Sequence, residues 1–448
     1  MTRSCVCLDV GSGWVKALGV DAEGEPLGCA QHVTTPGSLL ECVHAAASAA
    51  GADEAVPGGR AAASDIELLA CSSVGGGLRL AVIGQGHLAS TEAGHQVACS
   101  AGARVVYVHA GPLEPEGIRA LRASRPDVVL LLGGSGEGGD AERVLLANAA
   151  QLAKARVRAP IVLAAAGSAR AEAAAVLRSS ARTVLPTDPV LSRSGQIVPE
   201  PARAAVRELL DTHLVVGRVG SAGTERFRQL APRSTPAAVR AGLAELVRVR
   251  GVDGGAVLVI DVGCSTTDVY SALPPTDSGA PPAAQWSTVE ADLGLRWSAP
   301  GILTEGQVRT VIDPFEADLL TPTAQRLADE PDFLPHDVGG RAEDRRLAAL
   351  ASVLAARRHL RIAGPPLRAV GLGLVLLTGG VFRQPDSTGL ATIRDTLRAD
   401  ELLRELLSGC PVAVDDGFAL APAGLLAAAG RRAAALTVLD TAIAPDDG

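Results

Sequence analysis

The feature that most constrains this chain is a turn that occurs twice. A short apolar strand, Cys5–Asp9, ends in Gly11-Ser12-Gly13 and is followed by a second strand, Val15–Val20. About 250 residues later the pattern returns: strand Val257–Asp261, turn Gly263-Cys264-Ser265-Thr266-Thr267, strand Asp268–Ala272. Glycine in a tight hairpin lets backbone N–H groups approach a phosphate with no Cβ in the way. Serine and threonine hydroxyls add donors. An aspartate at the strand end can hold a hydrated Mg²⁺, which favours one or two carboxylates plus phosphate oxygens. Either hairpin alone is an ordinary turn signal. Two of them, one in each half of the chain, suit a cleft that grips a polyphosphate from opposite sides.

The rest of the pattern is α/β. A third strand is expected over 27–33, then a helix from Ser38 to about Ala50, giving β-β-β-α. Residues 51–65 read as a Gly/Pro/Ala-rich loop. Short β-branched runs at 105–109, 128–132, 161–165 and 183–185 alternate with helical stretches at 114–124, 140–155 and 169–179, the mark of a parallel βαβ unit. Pro201 opens a helix, residues 215–235 read as an irregular connection, and 236–250 as another helix. A third strand over 286–290 follows the second hairpin. A helix near 345–361, a strand at 370–377 ending in Thr378-Gly379-Gly380, and an Ala/Leu helix from Ala421 complete the chain. Gly379-Gly380 after a buried strand can let a flat adenosine lie against the backbone. The resulting division is 1–65, 66–198 as an inserted βαβ subdomain, 199–250 as a helical connection, and 251–448.

Composition bounds the function. Hydrophobic residues are 47% and charged residues 20% of 448, which fits a globular chain of more than one core. The formal net charge of −8 argues against nucleic acid as a partner. The longest apolar runs are too short to span a bilayer, and the Met1-Thr2-Arg3-Ser4 start lacks a signal-peptide pattern. Eight scattered cysteines without C-x-x-C pairs suit reduced thiols, so a cytoplasmic location is expected, and no zinc spacing is present. Only Lys16 and Lys154 are lysines among 41 cationic residues, which draws attention to Lys16 at the first hairpin.

Several segments together resemble the MutL/GlmL accessory proteins of adenosylcobalamin-dependent amino acid mutases, members of the actin-like ATPase superfamily. Val259–Val269 is similar to that family's "VDVGGATTDVHS", Val289–Arg296 to its "EGDLGMR", Ala70–Leu78 to its "SSAAGGL", Leu130–Gly139 to its "LAGGTDGG", and Pro199–Arg207 to its "EPARxAI". The first hairpin departs from "DxGSTWTK": Gly13 and Val15 stand where the family has threonine, while Cys264 and Ala291 replace glycines.

The resemblance implies two actin-like, ribonuclease H-like domains flanking a cleft, with ATP and Mg²⁺ as cofactors. It further implies that Asp9 and Asp261 orient Mg²⁺ and water, and that Gly11, Ser12, Gly263, Ser265, Thr266 and Thr267 hold phosphates. Lys16 meets a phosphate as a point charge. Asp268, with Glu290 and Asp292, is a candidate for activating water, and Gly379 and Gly380 for adenosine. The implied role is an ATP-binding, chaperone-like accessory to a cobalamin-dependent mutase subunit. A small-molecule kinase, or a nucleotide-binding scaffold without useful turnover, are the alternatives on the same fold; ATPase activity itself is left open.

Two further motifs weigh less. Gly134–Gly139 fits G-x-G-x-x-G, but the next strand ends Ala164-Ala165-Ala166-Gly167 without the acidic residue a dinucleotide site needs. Asp211-Thr212-His213-Leu214-Val215-Val216 lacks the glycine of a corrinoid-binding Asp-x-His-x-x-Gly, so no direct cobalamin binding is expected.

Overall fold

The computed structural model describes residues 4–35, 38–51, 66–73, 78–85, 93–94, 97–98, 103–133, 139–155, 157, 159–192, 197–213, 230–383 and 387–443. The chain divides into two compact units, one formed by 1–76 with 215–448 and the other by 77–214.

The larger unit contains two sheets with one topology. In the first, β1 (Cys5–Val10) pairs antiparallel with β2 (Trp14–Val20), which pairs antiparallel with β3 (Pro26–Val33). On its other edge β1 runs parallel to β4 (Glu67–Ser72), and β4 to the two-residue β10 (Arg233–Ser234). In the second sheet β11 (Ala256–Val262), β12 (Thr267–Ala272) and β13 (Gln285–Glu290) repeat the antiparallel meander. There β11 runs parallel to β14 (Leu372–Thr378), and β14 to β15 (Val412–Val414). Both orders are thus third-second-first-fourth-fifth, the ribonuclease H-like arrangement expected in each half.

The central strands are apolar because both of their faces are covered. Along β11, Leu258, Ile260 and Val262 face a core built on helix Val338–Val370, while Val257 and Val259 face a second core. That second core also takes Cys5 and Cys7 from β1, so it forms the seam between the two sheets. Helices Thr235–Arg250, Leu420–Ala428 and Arg432–Ala442 fill the seam. The outer face of the first sheet, with Val6, Leu8 and Val10, packs on helix Leu39–Ala49. His359 on the long helix is fully buried between the hydroxyls of Ser271 (2.8 Å) and Thr288 (3.1 Å), and burial pushes it down to about 3, so it stays neutral.

The smaller unit is an all-parallel sheet of β5 (Leu78–Gly84), β6 (Ala103–Ala110), β7 (Val128–Leu132), β8 (Ile161–Ala164) and β9 (Val184–Thr187), in the order β6-β5-β7-β8-β9. Helices Pro115–Ala123, Asp140–Lys154, Gly167–Arg178 and Glu200–His213 belong to it.

The boundaries differ from the sequence expectation in two places. Residues 66–72 were expected within the inserted subdomain, yet β4 is the fourth strand of the first sheet, because its pairing with β1 is long-range and leaves no local signature. The expected 199–250 connection divides: helix Glu200–His213 closes the smaller unit and helix Thr235–Arg250 enters the seam. Among the described residues no helix is long and apolar enough to cross a membrane.

Candidate functional site

Both hairpins are built alike. The Gly11 N–H donates to Trp14 O and the Gly263 N–H to Thr266 O, each at 2.9 Å. A Cβ on Gly11 would lie 2.7 Å from Trp14 O, so the tight turn excludes a side chain there. The tips meet. Ser12 Oγ and Ser265 Oγ share a hydrogen bond of 2.7 Å. A Cβ on Gly13 would lie 2.6 Å from Cys264 Sγ. Gly13 and Cys264, two of the four differences noted above, therefore meet in space: bulk absent at position 13 makes room for bulk present at position 264. The second tip is held from behind, Leu295 N–H donating to Gly263 O and Arg296 N–H to Cys264 O, both at 3.0 Å.

The hairpins line a single groove of about 370 Å³. Asp9, Gly11, Ser12 and Lys16 reach it from the first hairpin; Asp261, Gly263, Ser265, Thr266 and Asp268 from the second; Gly380 follows β14. All of these lie within the larger unit.

Cross-strand pairing sets the electrostatics. Asp9 stands opposite Lys16 and Asp261 opposite Asp268. Asp9 is well satisfied: Oδ1 accepts from Thr235 Oγ1 at 2.6 Å and Oδ2 faces Lys16 Nζ at 3.4 Å. Burial opposes the charge on Lys16, but Asp9 and then Asp261 outweigh it and hold the ammonium at about 12. Asp261 accepts no hydrogen bond from a described residue. Burial pushes it up to about 6, with Lys16 pulling it down and Asp9 and Asp415 pushing it up. Asp268 is pushed to about 7, first by burial and then by the charge of Asp261, against hydrogen bonds from Thr266 and Tyr270. Its Oδ2 accepts from Tyr270 Oη at 3.1 Å, and its buried Oδ1 has no partner among the described residues.

Four expected contributors sit elsewhere. Thr267 is fully buried and donates to Leu293 O at 2.7 Å, tying the hairpin to the segment behind it. Gly379, at φ +128, lies so close to β11 that a Cβ would meet Val262 O at 2.3 Å; it lets β14 exit against its neighbour and does not line the groove. Glu290 and Asp292 accept from Arg358 at 2.7–2.8 Å, outside the groove. Residues 134–138 of the G-x-G-x-x-G segment lie outside the described residues. Asp211-Thr212-His213 ends a helix, with 214–216 outside the described residues.

Four groove residues escaped sequence reasoning. Thr235 was visible only as the start of a helix, where Ser234 accepts from Ala237 N–H as the cap. Arg296 and Asp344 form a buried two-pronged pair at 2.9 and 3.2 Å. Arg383 stacks 3.5 Å over the Phe418 ring. Each depends on contacts far apart in sequence; Arg296 alone carried a signal, as the last residue of the Val289–Arg296 motif. No group of three or more His, Cys, Asp or Glu side chains among the described residues could hold a metal ion by itself. One or two carboxylates completed by phosphate and water remain the fitting donor set for Mg²⁺.

A model of the MutL protein family matches residues 5–443. Protein MutL of Clostridium tetanomorphum is 32% identical over 305 residues, covering 65% of this chain and 64% of that protein, so the match spans just under two thirds of the relative's length. Among solved structures, xylulose kinase from Bifidobacterium adolescentis aligns at 15% identity with a TM-score of 0.32, covering 100% of this chain and 96% of that one. A ROK family glucokinase from Streptomyces griseus, in complex with glucose and AMPPNP, aligns at 12% and 0.32, covering 98% and 99%.

Proposed function

The chain belongs to the MutL protein family, and on that premise we propose that it is an ATP-binding accessory protein attending an adenosylcobalamin-dependent amino acid mutase. The observation that carries the nucleotide part is the shared groove: two glycine hairpins touch through Ser12 and Ser265 beside Asp261, whose carboxylate accepts no hydrogen bond from a described residue. The backbone N–H groups and hydroxyls of Ser12, Ser265 and Thr266 are the phosphate donors, and Gly11 and Gly263 shape the tight turns that present them. Mg²⁺ would be held by Asp261 with Asp9, and when bound it supplies charge neutralisation at the phosphates. Lys16 adds a fixed cation on the first hairpin. Gly380 offers backbone to the adenosine.

Asp268 is the candidate base. A carboxyl group near 7 is half-ionised at neutral pH, which suits proton transfer. A phosphate entering between Ser12 and Ser265 takes over both hydroxyls, so nucleotide affinity depends on hairpin spacing. That dependence gives ATP a differential grip on closed and open arrangements. A mutase subunit recognising one arrangement would be coupled to ATP by about 1–3 kcal/mol. The corrinoid itself is left to the mutase.

The test is Asp261→Ala. Calorimetry should show loss of ATP-Mg²⁺ binding while circular dichroism shows an unchanged fold. Unaltered affinity would remove Asp261 from the site and the reading with it. Retention of a mutase subunit on the immobilised chain, compared with and without ATP, tests the partner.

A further inference from the structure

A second cavity, of about 360 Å³, lies apart from the groove in the second half of the larger unit. It is walled by Arg309, Arg357, Arg358, Arg361 and Arg368, with Glu305 as the one acidic residue in its lining. Leu354 and Leu360 form an apolar floor and the exposed Leu402 a rim. Such a concentration of guanidinium groups stands out in a chain of net charge −8.

The arginines fall into two sets. Arg309, Arg357 and Arg358 are fixed. Arg309 Nε is 3.0 Å from Glu305; Arg357 is 2.7 Å from Asp400; Arg358 is held by Glu290, Asp292 and Glu305 at 2.7–3.1 Å. Four carboxylates are thereby consumed in orienting three side chains. Arg361 and Arg368, exposed and seven residues apart on one face of helix Val338–Val370, make no hydrogen bond or ion pair with a described residue. Guanidinium stays charged at any physiological pH and presents planar paired donors suited to carboxylate and phosphate. Orienting the wall in advance lowers the ordering cost of binding. The volume is that of a metabolite site, and the leucine floor favours a ligand with some carbon.

We propose that this cavity binds a small organic polyanion, taken up by Arg361 and Arg368 against the fixed arginine wall. The shared chemistry is an oxyanion bearing two or more negative charges; carboxylate and phosphate ester are its two sources. Nothing in this site depends on the nucleotide reading.

Calorimetry on the full chain with citrate and with glycerol 3-phosphate tests it, because the two probes separate the sources. At least one should bind, and Arg361→Glu with Arg368→Glu should weaken it by roughly tenfold or more, with Arg361→Lys retaining partial affinity. No heat from either probe at ~10 mM, or equal affinity in the double variant, would overturn the proposal. Both positions are exposed, so the variants should fold.

Discussion

The two hairpins share one register and differ in one pairing. Opposite the strand-end aspartate, the first hairpin places Lys16 and the second places Asp268. The consequences diverge. Asp9 is neutralised by an ammonium and tied to Thr235. Burial raises both Asp261 and Asp268, the charge of Asp261 raises Asp268 further, and one Asp268 oxygen has no partner among the described residues. The carboxylate of the first hairpin is thus electrostatically satisfied, whereas the second hairpin holds unsatisfied negative charge in the groove, which suits a cation and proton transfer. On one shared register, a single changed cross-strand partner is enough to separate these two electrostatic states.

Three measurements sharpen or break that contrast. The largest effect is expected from Asp9→Ala, which takes the ion-pair partner from half-buried Lys16 and should destabilise the chain by about 3 kcal/mol in urea unfolding. Asp261→Ala removes a carboxylate that burial disfavours and should cost less than about 1 kcal/mol. Equal losses would mean that the partners do not decide the roles. Next, Gly13→Thr drives a side chain into Cys264 and should cost about 2 kcal/mol. Adding Cys264→Gly should recover most of it, as a double-mutant cycle would report. Simple additivity would show that the tips do not touch.

The smallest effect is in pH. Unfolded carboxylates titrate near 4, whereas folded Asp261 and Asp268 titrate near 6 and 7. Between these limits the folded state holds the extra protons. These two groups therefore favour folding most at the acidic end, and their contribution is lost as pH rises through 6 and 7. The melting temperature of Asp268→Asn should fall less across that window than that of the parent chain. An unchanged slope would remove Asp268 as a source of the effect.

The hairpins were legible because Asp-Val-Gly before a second apolar run is local chemistry: turn, register and strand ends all lie within a dozen residues. The same segment also shows where reading stopped short. Thr266 and Thr267 were both assigned to phosphate, yet neighbours on a strand point to opposite faces. With Asp268 in the groove, Thr266 shares its side and Thr267 turns inward to Leu293. That alternation was available in the sequence. The Thr235–Asp9 bond, 226 residues apart, and the Arg296–Asp344 pair, 48 apart, were not, since tertiary packing alone joins them. Strand β5 was hidden for another reason: Leu78–Gly84 is one short apolar run, and such a run carries no period to tell a buried strand from other structure.

Helices Thr235–Arg250 and Leu420–Ala428 cross in the seam at Gly242 and Gly424. A Cβ on Gly242 would lie 1.9 Å from Leu420 O, and one on Gly424 the same distance from Ala238 O. Main chain therefore rides on main chain at this crossing, and the spacing of the two helices is set there by backbone alone. A single methyl at either glycine would wedge them apart.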